Sequence, residues 1–382
     1  MPRPSPRWDI FCSVVDNYGD AGIAWRLARM LAREHDLPVR LYIDALPALA
    51  KLAPGVDASR ARQQRDGVEI GPWQGPASAL VRPSPGAVAI EAFGCGLPSS
   101  YLQAMAARDK PPVWINLEYL SAESWIEECH GLASRHPTLP LTRYFFFPGF
   151  TPASGGLLRE RDLFARRDAF RATRRARTAL WRSLGVEPAQ RAAIVSLFCY
   201  ADAPVAEMLD AWSAGEEPVT CLVPDGVAPR ALERWIGTHT NAPTLTRGRL
   251  TLARVPFVSQ DDYDRLLWAC DINFVRGEDS FVRAQWAARP FFWHVYPQAE
   301  DAHRLKLAAF LDRYTSGLDA AAARAVAEFS RAWNGDGDVA RAWREVVARR
   351  GPLDTHAQVW ATRLARERDL ASALVSFCLD RL

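Results

Sequence analysis

Trp8–Ile43 runs WDIFCSVVDNYGDAGIAWRLARMLAREHDLPVRLYI, and the architecture can be read from this stretch. Trp8 to Val15 is a short apolar run of strand character, followed by the polar turn Asp16-Asn17-Tyr18-Gly19-Asp20. From Gly22 onward Ile23, Leu27, Met30 and Leu31 recur at helical spacing, and Val39 to Ile43 has strand character again. Strand, tight turn, helix and strand make a βαβ unit. That unit predicts a parallel sheet with a right-handed crossover.

Beyond this unit, the first half offers further strands over Ala87–Ile90, Val113–Leu117 and Tyr144–Phe147. Between Arg159 and Arg182 the composition changes to RERDLFARRDAFRATRRARTALWR, with Leu163, Phe164, Phe170 and Leu180 at helical spacing. The favoured reading is a solvated connecting helix near a domain boundary; a phosphate- or RNA-binding helix is the lesser one. A second α/β pattern then begins. Strands are expected over Ala192–Cys199, Val219–Val223, Leu250–Val255, Ile272–Val275 and Pro290–Trp293. Helices are expected over Val205–Trp212, Asp262–Ala269, Ser280–Ala288 and Ala302–Leu311. From about Ala320 the chain reads as helical, with a break at Pro352 before a last helix. Two successive Rossmann-like halves facing a cleft, with a helical C-terminal tail, describe the GT-B architecture, in which the final helix commonly crosses back to the first domain.

Bulk properties agree with two α/β domains. The chain has 382 residues, 49% of them apolar, enough to bury two cores. Net charge is formally +3, and the basic side is almost all arginine, with lysine only at Lys51, Lys110 and Lys306. That bias is better explained by composition than by a nucleic-acid partner. Seven cysteines are scattered singly, with no C-x-x-C pair, so neither a zinc site nor a disulfide framework is indicated. MPRPSPRWDIF has no apolar core of signal-peptide length, and no run of 18 apolar residues occurs, so a soluble cytoplasmic protein is expected.

In open parallel sheets ligands bind beyond the carboxyl ends of the strands, and three such loops carry polar chemistry. Asp16-Asn17-Tyr18-Gly19-Asp20 lacks the glycines of a dinucleotide fingerprint, which argues against an NAD enzyme. Its two carboxylates make either an ordinary turn with Asp20 capping the helix, or a general base with a supporting acid. Arg276-Gly277-Glu278-Asp279-Ser280 follows a strand and opens a helix, whose N-terminal N–H groups suit a pyrophosphate. There Ser280 can donate to a phosphate oxygen, whereas Glu278 and Asp279 also fit an acidic cap. Phe257-Val258-Ser259-Gln260 pairs an aromatic ring with an amide, as a nucleobase requires, although a lone Phe257 also fits a core. Phe198 and Tyr200 end a nearby strand. His294 and His303 have no metal spacing, and neither G-x-S-x-G nor a P-loop lysine is present.

With these loops assembled, the sequence resembles the elongation factor P arginine rhamnosyltransferase family. The elements that carry the likeness are VVDNYGDAGIAWRLARML, SLFCY, VPFVSQDDYDRLLWACD and FVRGEDSFVRAQWAARPFFWHVYPQ, in order across both halves. The resemblance implies dTDP-β-L-rhamnose as donor, inversion at the anomeric carbon, and an arginine of elongation factor P as acceptor. By position it implies Asp20 as general base, with Asp16 and Glu278 as further essential carboxylates. It places Asn17, Tyr18, Gly19, Phe198, Tyr200, Phe257, Gln260, Arg276, Gly277, Asp279 and Ser280 on the donor. Tyr18 stands where phenylalanine is common in the family. The reading calls for no metal or cofactor besides the donor, and for no nucleic acid or membrane. It divides the chain into an acceptor-binding domain over 1–170, a nucleotide-sugar domain over 171–352, and a tail helix over 353–382. Two rivals remain: a nucleotide-sugar transferase with a glycan or small-molecule acceptor, and a non-catalytic nucleotide-binding scaffold.

Overall fold

The computed structural model describes residues 6–16, 18–75, 77, 84–237, 243–298 and 301–382. The chain forms two compact units, residues 1–161 together with 366–382, and residues 162–365.

The first unit opens with β1 (Trp8–Cys12), α1 (Gly19–Glu34), β2 (Val39–Ile43) and α2 (Leu46–Leu52). An edge hairpin follows, β3 (Gln63–Arg65) and β4 (Val68–Pro72). Then come β5 (Val88–Ala92), α3 (Ser99–Ala106), β6 (Val113–Leu117), α4 (Trp125–Cys129), β7 (Ala133–Arg135) and β8 (Thr142–Phe146). The sheet order is β3-β4-β2-β1-β5-β6-β8-β7, parallel except where β3 meets β4 and β7 meets β8. β1 is fully buried, and residues on both faces of it pack against other elements, as a central parallel strand requires. Its one charge, Asp9, is met by Arg40 at 3.1 and 3.0 Å, the Tyr101 hydroxyl at 2.6 Å and the Gly86 N–H at 2.7 Å. A buried carboxylate needs that many partners.

The second unit carries α5 (Leu163–Ala172), α6 (Arg174–Ser183), β9 (Ala193–Leu197), α7 (Val205–Ser213), β10 (Val219–Pro224) and α8 (Pro229–Ile236). Next are β11 (Thr244–Arg247), β12 (Leu250–Val255), α9 (Gln260–Ala269), β13 (Ile272–Arg276), α10 (Asp279–Ala287) and β14 (Phe291–His294). Helices α11 (Ala302–Thr315), α12 (Ala320–Trp333), α13 (Val339–Val347) and α14 (Arg350–Leu364) complete it, and α15 (Leu370–Leu379) belongs to the first unit. The sheet order is β11-β12-β10-β9-β13-β14, again parallel except at the β11 edge. Its core is aromatic: the Phe274 ring sits 4.7 Å from Trp333 and 5.6 Å from Trp212.

Three local expectations are corrected. The charged stretch is two helices broken at Thr173 rather than one, and it is not wholly solvated. Arg167 donates to the Trp286 carbonyl at 2.9 Å, and Arg171 to the carbonyls of Ala287 and, at 3.3 Å, Trp268. Those carbonyls end α9 and α10, where cations satisfy both the free acceptors and the helix dipole. Burial, reinforced by Arg289 and Arg167, lowers the Arg171 pKa to about 9. Pro352 does not break the chain, because it lies in the first turn of α14, where its missing N–H is harmless. The real break is Ala365–Asp369, after which Asp369 caps α15 through the Ser372 N–H at 2.9 Å.

Candidate functional site

In the first unit the residues singled out by the sequence lie where β1 turns into α1. The helix begins at Gly19, three residues before the sequence pattern suggests, so Asp20 lies inside its first turn instead of ahead of it. Asp20 Oδ2 accepts the N–H groups of Val15 at 2.8 Å and Asp16 at 2.9 Å. The Tyr119 side chain, just past β6, bonds the same carboxyl group. Asp20 is 3% exposed. Burial pushes its pKa up and the Asp16 charge adds to this, while the two N–H donors and Tyr119 pull it part of the way back. A carboxylate fixed in this way is a base ready to accept a proton.

Asp16 is half-buried, and its carbonyl accepts the Gly19 N–H at 2.7 Å. A Cβ at Gly19 would lie 2.9 Å from Asp16 Oδ2, so the glycine leaves room for that carboxylate. The Tyr18 hydroxyl accepts from Lys51 Nζ at 3.2 Å. Asn17 lies outside the described residues.

In the second unit the selected residues follow the carboxyl ends of β9, β12 and β13. The Arg276 guanidinium lies 4.4 Å from the Phe198 ring centroid and 4.8 Å from that of Tyr200, and donates to the Cys199 carbonyl at 3.1 Å. Cation–π contact and this hydrogen bond fix the side chain between the two rings. Gly277 takes φ +60, which lets the chain turn sharply from β13 into α10. The Ser280 hydroxyl donates to the Arg276 carbonyl and accepts its N–H at 3.1 Å, so it locks the turn. Gln260 donates to Asp279 Oδ2 at 3.0 Å, joining the first turns of α9 and α10. Ser259 caps α9, and half-buried Phe257 precedes it. Glu278 turns to Lys306 at 3.2 Å rather than capping α10.

The sequence did not point to Tyr119 or Phe93 beside the first corner, nor to Lys306 beside Glu278. Nor did it single out Trp293, whose indole donates to the Gly277 carbonyl at 2.9 Å. Tyr119 was findable, since it lies just past Glu118 at the carboxyl end of a buried strand, where ligands bind. Lys306 and Trp293 lie on other elements, and only folding brings them in. His294 Nδ1 accepts the Tyr200 N–H at 3.1 Å, and burial lowers its pKa to about 4.

Among the described residues no group of three or more His, Cys, Asp or Glu is placed to hold a metal ion. No helix among them is long and apolar enough to cross a membrane.

Two Rossmann-like sheets, each with polar residues at the carboxyl ends of its strands, followed by C-terminal helices, give the chain the fold class of the GT-B glycosyltransferases. The family described as "Elongation-Factor P (EF-P) rhamnosyltransferase EarP" matches residues 8–379. The chain belongs to that family. The protein-arginine rhamnosyltransferase of Pseudomonas putida is 51% identical over 378 residues, spanning 98% of this chain and 99% of its own. That of Shewanella oneidensis is 39% identical over 385 residues, spanning 97% of each. A solved structure, "Structural basis for EarP-mediated arginine glycosylation of translation elongation factor EF-P", is 38% identical with a TM-score of 0.71, covering 99% of this chain and 100% of that one.

Proposed function

We propose that the protein transfers rhamnose from dTDP-β-L-rhamnose to an arginine side chain of elongation factor P, inverting the anomeric carbon, in the cytoplasm. A guanidinium is a poor nucleophile because it stays protonated and its lone pairs are delocalised. Asp16 orients the cation and localises its charge, and Asp20 accepts the proton as the C–N bond forms. A positioned base contributes about 10²–10⁴-fold. The thymine base sits by Phe257 and Gln260, with Phe198 and Tyr200 lining the same pocket. Charge on the departing dTDP diphosphate is stabilised by Arg276 and by the N-terminal N–H groups of α10 at Asp279 and Ser280. Gly277 allows the backbone to approach the diphosphate, while Tyr18, Gly19 and Asn17 contact the sugar. Glu278 faces the reacting centre, its charge balanced by Lys306. The unit of residues 1–161 and 366–382 holds the acceptor and that of residues 162–365 the donor, in place of the expected bounds 1–170 and 171–352.

The observation that carries this reading is the Asp20 carboxylate, held by two backbone donors at a strand-to-helix corner while burial raises its basicity. It is supported by membership of the family over residues 8–379. Incubation of the purified protein with dTDP-rhamnose and elongation factor P should add one deoxyhexose to an arginine, read by intact mass and peptide mapping. An acceptor of unchanged mass overturns the proposal.

A further inference from the structure

We propose that Tyr119, seated on Phe93, is a positioning residue of the transfer: its hydroxyl donates to Asp20 and fixes the direction that carboxylate faces. The inference rests on the reading of Asp20 as the base.

Phe93 follows β5 with φ +59, a left-handed backbone that a bulky aromatic side chain rarely adopts. The conformation is pinned from several sides. The Phe93 N–H donates to the Leu117 carbonyl of β6 at 2.7 Å, and the Cys95 N–H to the Ala92 carbonyl at 3.2 Å. The Gly96 N–H donates at 3.0 Å to Glu91, a 2% exposed carboxylate that also accepts the Trp114 indole N–H at 3.1 Å. The result is a Phe93 ring laid on the Tyr119 ring, centroids 4.5 Å apart and planes 15° from parallel.

Both rings are half-buried at strand ends, outside the aromatic core of Phe11, Tyr42, Trp73, Tyr101 and Trp114. Strained backbone that its surroundings over-determine is the pattern of a functional site. The stack removes the freedom of the Tyr119 ring, and its hydroxyl then meets the carboxyl group of Asp20. With the N–H groups of Val15 and Asp16 on Oδ2, three donors from two loops aim one carboxylate. The titratable groups facing Asp20 are Asp16 from its own corner, Cys12 from β1 and Tyr119 from beyond β6; Lys51 of α2 faces Tyr18 instead. Tyr119 is the neighbouring side chain that favours the ionised form, whereas the Asp16 charge opposes it.

Tyr119→Phe keeps the stack and deletes one oxygen, so the fold should survive. Rhamnosyl transfer to elongation factor P is measured against pH for the wild type and for Tyr119→Phe, Phe93→Leu and Asp20→Asn. Loss of a hydrogen bond to a charged group is expected to move the acidic limb of kcat/KM in Tyr119→Phe upward by about one pH unit, with about tenfold less transfer at the limb. KM for dTDP-rhamnose stays unchanged. Phe93→Leu moves the limb the same way, because the ring is no longer held. A superimposable profile for Tyr119→Phe overturns the proposal, and a limb unmoved in Phe93→Leu alone overturns the part given to the stack. Asp20→Asn separates the two ideas. If it stays active, the base reading itself fails; if it is inactive while Tyr119→Phe is unchanged, only this inference does.

Discussion

At the level of single residues, Asp20 and Gly19 sit at one corner to which the proposed mechanism assigns the base. The folded state raises the Asp20 pKa above 3.8, so the folded protein holds that proton more tightly than the unfolded chain. Its contribution to stability is therefore full below 3.8 and is lost as the pH rises through the folded value. At neutral pH the buried charge is a liability that a neutral amide removes while keeping an acceptor oxygen. Asp20→Asn should abolish transfer and leave Tm unchanged or higher at neutral pH, with the difference shrinking toward pH 4 or so. A Tm several degrees lower would make Asp20 a structural cap. Gly19→Ala tests the neighbour: its Cβ would meet only the far end of the Asp16 side chain, at 2.9 Å. Stability should change by less than about 1 kcal/mol, while kcat falls because Asp16 is displaced. Equal losses of Tm and rate would remove Asp16 from the chemistry.

Among the elements, α9 and α10 are held together by charges buried on their facing sides. Asp264 and Arg283 are each 1% exposed and joined by two bonds of 2.9 and 2.7 Å. The same two helices supply Gln260 and Asp279, one turn earlier on each, so this pair sets the register of the proposed base and diphosphate contacts. Asp264→Ala should destabilise the protein by about 3–5 kcal/mol, since it removes the carboxylate that takes two bonds from the buried Arg283. The double variant Asp264→Leu/Arg283→Met should recover most of that loss in urea unfolding. If it unfolds no later than the single variant, packing and not charge is the cause. The helical pattern of this region was plain in the sequence. The pairing of these two distant side chains was not, because no periodicity links two helices across a strand.

Over the molecule as a whole, the first unit is discontinuous in sequence. Helix α15 packs its Phe377 ring 5.6 Å from Tyr144 and 5.5 Å from Phe146, both on β8, and also contacts α1. Gly156, at φ +74, admits the Arg368 carbonyl to a point where a Cβ would lie 2.1 Å from it. Ending the chain at Ala365 should therefore speed amide exchange in α1 and β8 while the helices of residues 162–365 stay protected. Uniform exchange in both regions would show that α15 contributes no local stability.

The order and type of the longer elements, and the place of three polar loops at strand ends, were legible in the sequence alone. Local periodicity and turn chemistry act over a few residues, and the family likeness named the reaction. The strands β3, β4, β7 and β11 and the short helices α2, α3, α4 and α8 were not read from the sequence, because elements this short leave little period to detect. Nor was the early start of α1, where Gly19 and Asp20 look like turn residues until the helix encloses them. Folding in three dimensions settled that Arg167 and Arg171 turn inward to end two helices, and that Lys306 answers Glu278. It alone set a strained Phe93 beneath the tyrosine that reaches Asp20. These are meetings of side chains far apart along the chain, and their partners are chosen by burial and by the need to satisfy charge.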